Sequence, residues 1–252
     1  MKKTDFLSIF SVKKPIIGMI HLWGSGREDI LDRAELEVDI MLENGIDAVL
    51  VENYFGAVRD VENTLKWLGS HHPNALYGVN ILSKNMPDLL AFELAREYGA
   101  NFIQIDSVAG HLLTTPVDQD GRFAAELDGL RTTYQIPIIG GVRFKYQSVL
   151  SGRTEAEDLK VGMQRCDAIA VTGSGTGIET NLQKIKNFRS VIGDFPLVVA
   201  AGLTADNCQE QMAIADAGIV GSFLKDTYKD IGEVSESHVK ELVEKIKTLR
   251  QQ

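Results

Sequence analysis

Short apolar segments that recur along the whole chain are the feature that most restricts its fold. Eight of them have the composition of strands, and their starts lie roughly 20 to 36 residues apart, which leaves room for a crossover helix after each one. The predicted strands are residues 16–21, 48–52, 76–81, 102–106, 138–145, 168–172, 197–200 and 218–220.

Helix signals fill the segments between these strands. Residues 29–44 carry apolar side chains at helical spacing and stop at Gly45, and Pro87 opens a helix that ends at Gly99. Thr154 with Glu157 three residues later forms a capping box. Further helices are predicted at 121–134, 181–192 and 235–250.

Strict alternation of strands and helices implies a parallel sheet, and the length of 252 residues favours a closed barrel. The predicted fold is therefore α/β, a single (β/α)8 TIM barrel that occupies residues 1–252. A short helix at about 4–10 precedes the first strand and is expected to plug the bottom of the barrel. A doubly wound sheet is the alternative, but nothing in the chain marks the reversal of strand order that it needs.

Composition excludes several classes of function. The net charge of −9 and the pI near 5.1 argue against binding of nucleic acid through a general basic surface. No segment has the roughly 18 apolar residues of a membrane span, and no signal peptide is evident, so a cytoplasmic location is expected. Cys166 and Cys208 have no metal-ligand spacing and are expected to be reduced thiols.

Glycine-bearing loops follow the last three predicted strands. Glycine lets backbone N–H groups approach a ligand closely, and such loops late in a (β/α)8 chain usually form a phosphate site at the C-terminal face. Plain turns also use glycine, but three such loops in succession favour the phosphate site. The GxGxG spacing differs from the dinucleotide-binding GxGxxG, so NAD binding gains little support. The predicted phosphate-binding residues are Gly173, Gly175, Thr176, Gly202, Gly221 and Ser222.

Polar residues end the first six strands, where alternate side chains face the barrel mouth. The predicted catalytic residues are His21, Glu52, Asp106 and Lys145, and the predicted substrate-binding residues are Asn53, Asn80, Arg143 and Thr172. On the fifth strand, Gly141, Arg143 and Lys145 are predicted to share one inward face. The chemistry is thus expected over the first five strands and the phosphate over the last three.

Each of these residue types has a role in acid–base chemistry. Glu52 or Asp106 is expected to transfer the proton with His21 as the other partner, while Lys145 and Arg143 stabilise oxyanion charge. Lys145 as a Schiff-base nucleophile is an alternative. A second alternative is purely structural: the two carboxylates and the two cations would form a ring of ion pairs. No cofactor is predicted; a divalent metal is compatible with His21, Glu52 and Asp106, but no HxH or HExxH spacing supports it.

The motifs together resemble the BtpA family, which includes SgcQ-like proteins and a member named for photosystem I biogenesis. The resemblance runs nearly end to end through IIGMIHL, GIDAVLVEN, YGVNIL, DGRFAAEL, VRFK, CDAIAVTGSGTG, VVAAGLTADN and GIVGSFLK. It implies a phosphate-binding TIM barrel of the ribulose-phosphate-binding type, but no reaction. The chain departs from the family after His21, where LWGSGRED replaces a proline-rich loop, and at Tyr146, where histidine is common.

Two functions are compatible with these features. The first is an enzyme acting on a small phosphorylated metabolite, preferably a sugar phosphate, by isomerisation, epimerisation, lyase cleavage or N-glycosidic hydrolysis. The second is a non-catalytic assembly or regulatory protein that keeps a barrel and a phosphate site, as the photosystem-linked name in the family suggests. The expected partner is a small phosphorylated ligand; a homo-oligomer is compatible with the sequence, although no segment specifies one.

Overall fold

A closed barrel of eight parallel strands forms the centre of the molecule, which confirms the predicted fold. The computed structural model describes residues 6–82, 89–109, 120–149 and 151–251. Each strand pairs with its sequence neighbours, and the eighth closes on the first. The strands are β1 (Ile16–Ile20), β2 (Ala48–Glu52), β3 (Leu76–Asn80), β4 (Phe102–Ile105), β5 (Ile138–Gly141), β6 (Ala168–Val171), β7 (Leu197–Val199) and β8 (Ala217–Val220).

Helices follow the strands and surround the barrel. They are α1 (Arg27–Glu43), α2 (Val58–His71), α3 (Leu89–Tyr98), α4 (Asp120–Tyr134), α5 (Glu155–Arg165), α6 (Leu182–Ile192), α7 (Cys208–Ile214) and α8 (Glu236–Arg250). The predicted capping box at α5 is present, with Thr154 accepting the Glu157 N–H. The predicted helix start at Pro87 lies outside the described residues.

Two apolar layers result from the alternation of side chains along the strands. Side chains such as Val49 and Val51 point outward and pack against the helices. Those such as Ile17, Leu50 and Ile139 point inward and fill the barrel. Because both faces of every strand are covered, the five residues of β2 are all buried, as expected for a parallel sheet.

The bottom of the barrel is closed by the N-terminal segment. A short 3₁₀ helix, Phe6–Ile9, carries the fully buried Phe6, whose ring packs edge-on against Phe102 of β4 at a centroid distance of 5.8 Å. Phe10 contacts both rings. This is the predicted plug; the helix ends at Ile9 and not at residue 10, and residues 4 and 5 lie outside the described part of the chain.

Paired aspartates tie the strands together at this same bottom end. The aspartate that precedes β2, β6 or β8 accepts the first N–H of the preceding strand and also pairs with an arginine. Asp47 accepts from Ile16 at 2.7 Å, Asp167 from Ile138 at 3.0 Å and Asp216 from Leu197 at 2.9 Å. Their arginine partners are Arg250, Arg131 and Arg189 respectively. These contacts satisfy backbone donors that the barrel leaves unpaired at its rim.

The end of the fifth strand differs from the prediction. β5 stops at Gly141, because the chain bends so closely over β4 there that an added Cβ would lie 2.2 Å from the Asp106 carbonyl oxygen. Arg143 then adopts a left-handed backbone with φ of 47°, and Phe144 turns into the barrel interior. The prediction that Gly141, Arg143 and Lys145 share one inward strand face is therefore wrong.

Candidate functional site

Two carboxyl groups, the buried Glu52 and the partly buried Asp106, meet at the C-terminal end of the barrel. Glu52 ends β2 and is the register partner of Asn80 on β3, while Asp106 directly follows β4. The Asn80 amide Nδ2 donates to both, at 2.5 Å to Glu52 Oε1 and 3.1 Å to Asp106 Oδ1. Gln104 Nε2 also donates to Asp106 Oδ1, at 2.8 Å. Among the residues that the structure describes, neutral amides and not cations therefore hydrogen-bond to the pair.

Burial changes the protonation of these carboxyl groups. The pKa of Glu52 is raised to about 8, first because the group is buried and then because Asp106 lies beside it, although the Lys145 charge and the Asn80 hydrogen bond oppose the rise. Burial also raises the pKa of Asp106, against the hydrogen bond from Gln104. At neutral pH Glu52 is therefore a carboxylic acid, which can give a proton.

The side-chain amides that hold the pair also carry oxygens that accept no hydrogen bond from the described residues. Asn80 Oδ1 and Gln104 Oε1 are buried, and neither has a hydrogen-bond partner within the described ranges. Buried polar atoms are normally paired, so two unpaired acceptors beside two carboxyl groups create a demand for donors. Hydroxyl groups of a bound ligand would meet that demand.

Lys145 lies in the loop after β5, between the carboxyl pair and a cavity. Its charge acts on Glu52, Asp106 and His21. The ammonium makes no ion pair with any other described residue and lies 5.8 Å from the centre of the Phe144 ring. The backbone N–H of Lys145 donates to Thr172 Oγ1 at 2.8 Å, so the Thr172 side chain holds the lysine loop in place.

His21 reaches the mouth from the end of β1 and is buried. Its Nδ1 lies 3.2 Å from the Asp230 carbonyl oxygen. Because a carbonyl only accepts, this contact assigns the ring proton to Nδ1 and leaves Nε2 as an acceptor. Burial, reinforced by the charges of Lys225 and Lys145, lowers the pKa of His21 to about 3, so the ring is neutral at ordinary pH. Gly221 leaves room for it, since an added Cβ would lie 2.9 Å from His21 Cε1.

A cavity of about 160 Å³ lies beside these groups, lined by the glycine loops after β6, β7 and β8. The lining residues that bear on function are His21, Lys145, Thr176, Gly202, Gly221 and Ser222. The loops pack tightly on one another. At Gly202, where φ is 64°, an added Cβ would lie 2.4 Å from the Glu179 backbone nitrogen. Only glycine fits this combination of backbone angle and space.

Two predicted phosphate residues lie away from that cavity. Gly173 lines a neighbouring open groove of about 590 Å³, and an added Cβ there would lie 2.6 Å from the Ile178 carbonyl oxygen. Gly175 lies under the Tyr146 hydroxyl. Both glycines serve the packing of the β6–α6 loop.

Two predicted substrate-binding residues are engaged elsewhere. Arg143 Nε pairs with the buried Asp158 of α5 at 2.8 Å, and its Nη2 donates to the Arg153 carbonyl oxygen. The left-handed turn directs this guanidinium away from the carboxyl pair, so the proposed ring of ion pairs does not form. Asn53 Oδ1 accepts the Leu82 N–H at 2.7 Å and thereby joins two loops.

Several residues of the mouth were absent from the predicted site. Gln104 precedes Asp106 by two positions, so the alternation of strand side chains places both on the same inward face. The carbonyl of Asp230 has no signal in the sequence, because a backbone atom of a loop is positioned only by the folded chain. Tyr54 and Tyr146 contact the β6–α6 loop through their hydroxyl groups. No group of three or more metal-binding side chains occurs among the described residues.

Comparison with known proteins supports the resemblance noted above. The sequence profile of the BtpA family matches residues 72–248. The chain belongs to the BtpA family. One relative is the photosystem I biogenesis protein BtpA of Synechocystis, which is 25% identical over 88% of this chain and 84% of its own. Another is an uncharacterised protein of Pyrococcus abyssi, 27% identical over 94% of this chain and 97% of its own.

Solved structures with similar folds are remote in sequence. A native KDPGal structure superposes with a TM-score of 0.63 at 14% identity, covering 94% of this chain and 97% of its own. Phosphoribosyl anthranilate isomerase from Thermus thermophilus superposes with a TM-score of 0.59 at 16% sequence identity, covering 94% of this chain and 100% of its own. The 3-keto-L-gulonate-6-phosphate decarboxylase of Vibrio cholerae gives 0.60 at 15%, covering 94% and 98%. At these identities the likeness establishes the fold of this family member. No helix among its described residues is long and apolar enough to cross a membrane.

Proposed function

We propose that this protein is an enzyme that acts on a small phosphorylated metabolite, with a sugar phosphate as the preferred substrate class. One observation carries the proposal. A carboxyl pair with raised pKa values, a lysine without an ion pair among the described residues and a cavity lined by glycine loops share one barrel mouth. Raised pKa values at a cavity are typical of groups that transfer protons.

The phosphoryl group would bind in the cavity of the glycine loops. Gly202, Gly221 and Ser222 line this cavity, and glycine lets backbone N–H groups approach an anion closely. Lys145 lines the same cavity and supplies the positive charge that a phosphoryl dianion needs. Because Lys145 lies between the cavity and the carboxyl pair, it would bind a substrate whose phosphoryl group and reacting atom are separated by the distance between those two places.

The other end of the substrate would lie against the carboxyl pair. Glu52, protonated at neutral pH, would be the general acid, and Asp106 the general base. His21 Nε2 would accept a hydrogen bond from a substrate hydroxyl, and Lys145 would stabilise developing oxyanion charge. The unpaired oxygens of Asn80 and Gln104 would accept from further hydroxyls, which is why a polyhydroxylated substrate fits best. Isomerisation, epimerisation, lyase cleavage and N-glycosidic hydrolysis all use such a set.

A thermal-shift screen tests the phosphate part of the proposal. Phosphate, sugar phosphates and nucleotides are compared with their dephosphorylated counterparts. A ligand at a hundredfold excess over its Kd stabilises the folded state by roughly 2.7 kcal/mol. We expect only phosphorylated compounds to raise Tm, and Lys145→Met to remove the shift. Lys240→Met, on the exposed face of α8, is the matched control. Equal shifts with and without phosphate would contradict the proposal.

The name of the Synechocystis relative, a photosystem I biogenesis protein, favours a second candidate, a non-catalytic assembly or regulatory protein. That role would use the outer surface of the barrel and would not need the carboxyl pair. Affinity purification distinguishes the two. A stable protein partner that is retained equally by the wild type and by Glu52→Gln, with no turnover of any phosphorylated sugar, would support the assembly role.

A further inference from the structure

The Tyr146 hydroxyl occupies an unusual position at the barrel mouth. Its oxygen accepts the Thr176 backbone N–H at 2.8 Å and lies against Gly175. The Tyr54 hydroxyl lies 3.4 Å from the Thr176 hydroxyl. The phenol oxygen of Tyr146 therefore occupies a backbone donor of a residue that lines the cavity of the glycine loops. Backbone N–H groups of glycine-bearing loops are common ligands of anionic oxygen.

The surroundings favour a negative charge on that oxygen. Contact with Thr176 lowers the pKa of the Tyr146 phenol, and Tyr54 and the Lys145 charge act in the same direction to a smaller extent. Thr176 also lines the cavity of the glycine loops, together with Lys145. The donor that holds the tyrosine thus belongs to the wall of the proposed phosphate site.

Tyr146 is easily displaced from this position. Its side chain is 63% exposed, so a swing into solvent costs little burial. The backbone of its turn is fixed by other contacts, since the Lys145 N–H donates to Thr172 and Gln147 Nε2 donates to the Asp106 carbonyl oxygen at 2.9 Å. The hydroxyl can therefore leave while the turn stays in place.

We propose that Tyr146 is an internal stand-in for the ligand, whose hydroxyl fills a phosphoryl-oxygen position at the Thr176 N–H and is displaced when an anionic ligand binds. The inference rests on the proposed function, because it names one oxygen position within the same phosphate site. A phosphoryl oxygen carries a full charge and accepts hydrogen bonds more strongly than a neutral phenol, so the exchange favours the ligand. Tyr146 then weakens the binding of every anion at this position by the cost of displacing its hydroxyl.

Titration calorimetry with inorganic phosphate, on the wild type and on Tyr146→Phe, tests the inference. Loss of the competing hydroxyl should tighten phosphate binding roughly two- to tenfold, the equivalent of one net hydrogen bond. Tyr77→Phe is the control, because it removes a tyrosine hydroxyl that donates to the Tyr98 carbonyl oxygen at 2.5 Å, outside both cavities. We expect its phosphate affinity to equal that of the wild type. In the wild type, phosphate should also shift the Thr176 amide resonance in ¹H–¹⁵N spectra.

The possible outcomes separate this inference from the proposed function. Tighter binding by Tyr146→Phe, or binding by this variant alone, supports the inference. Equal or weaker binding by Tyr146→Phe overturns it and leaves the phosphate site standing, since weaker binding would make the hydroxyl a ligand contact. If neither the wild type nor the variant binds phosphate or shifts the Thr176 amide, the phosphate site and this inference both fail.

Discussion

The two ends of the barrel use the same residue types in opposite ways. At the bottom, three aspartates each accept a hydrogen bond from a backbone N–H and form an ion pair with an arginine. They are Asp47, Asp167 and Asp216. At the top, neutral amides are the only hydrogen-bond donors to the Glu52 and Asp106 carboxyl groups among the described residues. Each bottom carboxylate has a paired arginine, whereas Lys145 acts on the top carboxyl groups without an ion pair to either.

The two ends show how one fold separates stability from chemistry. At the bottom, a paired arginine compensates the carboxylate and fixes the strands, whereas at the top burial raises the pKa of the carboxyl groups although the Lys145 charge opposes it. The pair at the top lowers the stability of the folded state, but it provides a group that can transfer a proton near neutral pH. Substitutions of the carboxyl groups at either end therefore have different expected effects.

The largest effect is expected at the top. Glu52→Gln and Asp106→Asn keep the shape of each group and remove its proton transfer, so turnover should fall roughly 10²- to 10⁴-fold. Tm should stay the same or rise, because an amide has no charged form to desolvate. Steady-state kinetics on the sugar phosphate that gives the best thermal shift, with scanning calorimetry, measures both. Full activity in either variant would remove that residue from the mechanism.

The second effect is expected at the bottom, with the opposite signature. Asp167→Asn leaves the buried guanidinium of Arg131 without a carboxylate and should cost about 3–5 kcal/mol of folding free energy. Turnover per folded molecule should be unchanged, since the substitution lies at the far end of the strands. Urea denaturation and activity at a temperature well below Tm test the two parts. A stable variant with impaired kinetics would reverse the division between the ends.

The third effect is a pH dependence of stability. The pKa of Glu52 rises from 4.5 in the unfolded chain to about 8 in the folded state. The folded state therefore binds more protons over that interval, and its stability falls as pH rises from about 4.5 to 8. Asp106 acts in the same direction. Glu52→Gln should flatten the decline, as measured by urea denaturation between pH 5 and about 9. An unchanged slope would contradict the raised pKa.

Much of this contrast is readable from the sequence. The spacing of apolar segments predicts eight strands, and their alternation correctly places His21, Glu52, Asn80 and Asp106 at the mouth. Periodicity works here because both faces of each strand must be covered, so a register error would bury charge.

The parts that were missed depend on the folded chain. The alternation rule fails after Gly141, because crowding against the Asp106 carbonyl ends β5 and a left-handed residue turns Arg143 towards Asp158. Protonation is likewise a property of the assembled site, since burial is the largest cause of the raised pKa values. A contact such as that between His21 and the Asp230 carbonyl involves backbone, which carries no residue-specific signal.

The smallest effect is expected at a carboxylate that belongs to neither end. Glu126 pairs with Arg122 one turn away on α4, and both side chains are exposed, at 39% and 79%. Water already solvates both charges, so the pair gains little from contact. Glu126→Gln should leave both the urea midpoint and turnover within experimental error of the wild type. If this substitution changed stability as much as Asp167→Asn, burial would not be what distinguishes the carboxylates of the barrel ends, and net charge would be the simpler explanation.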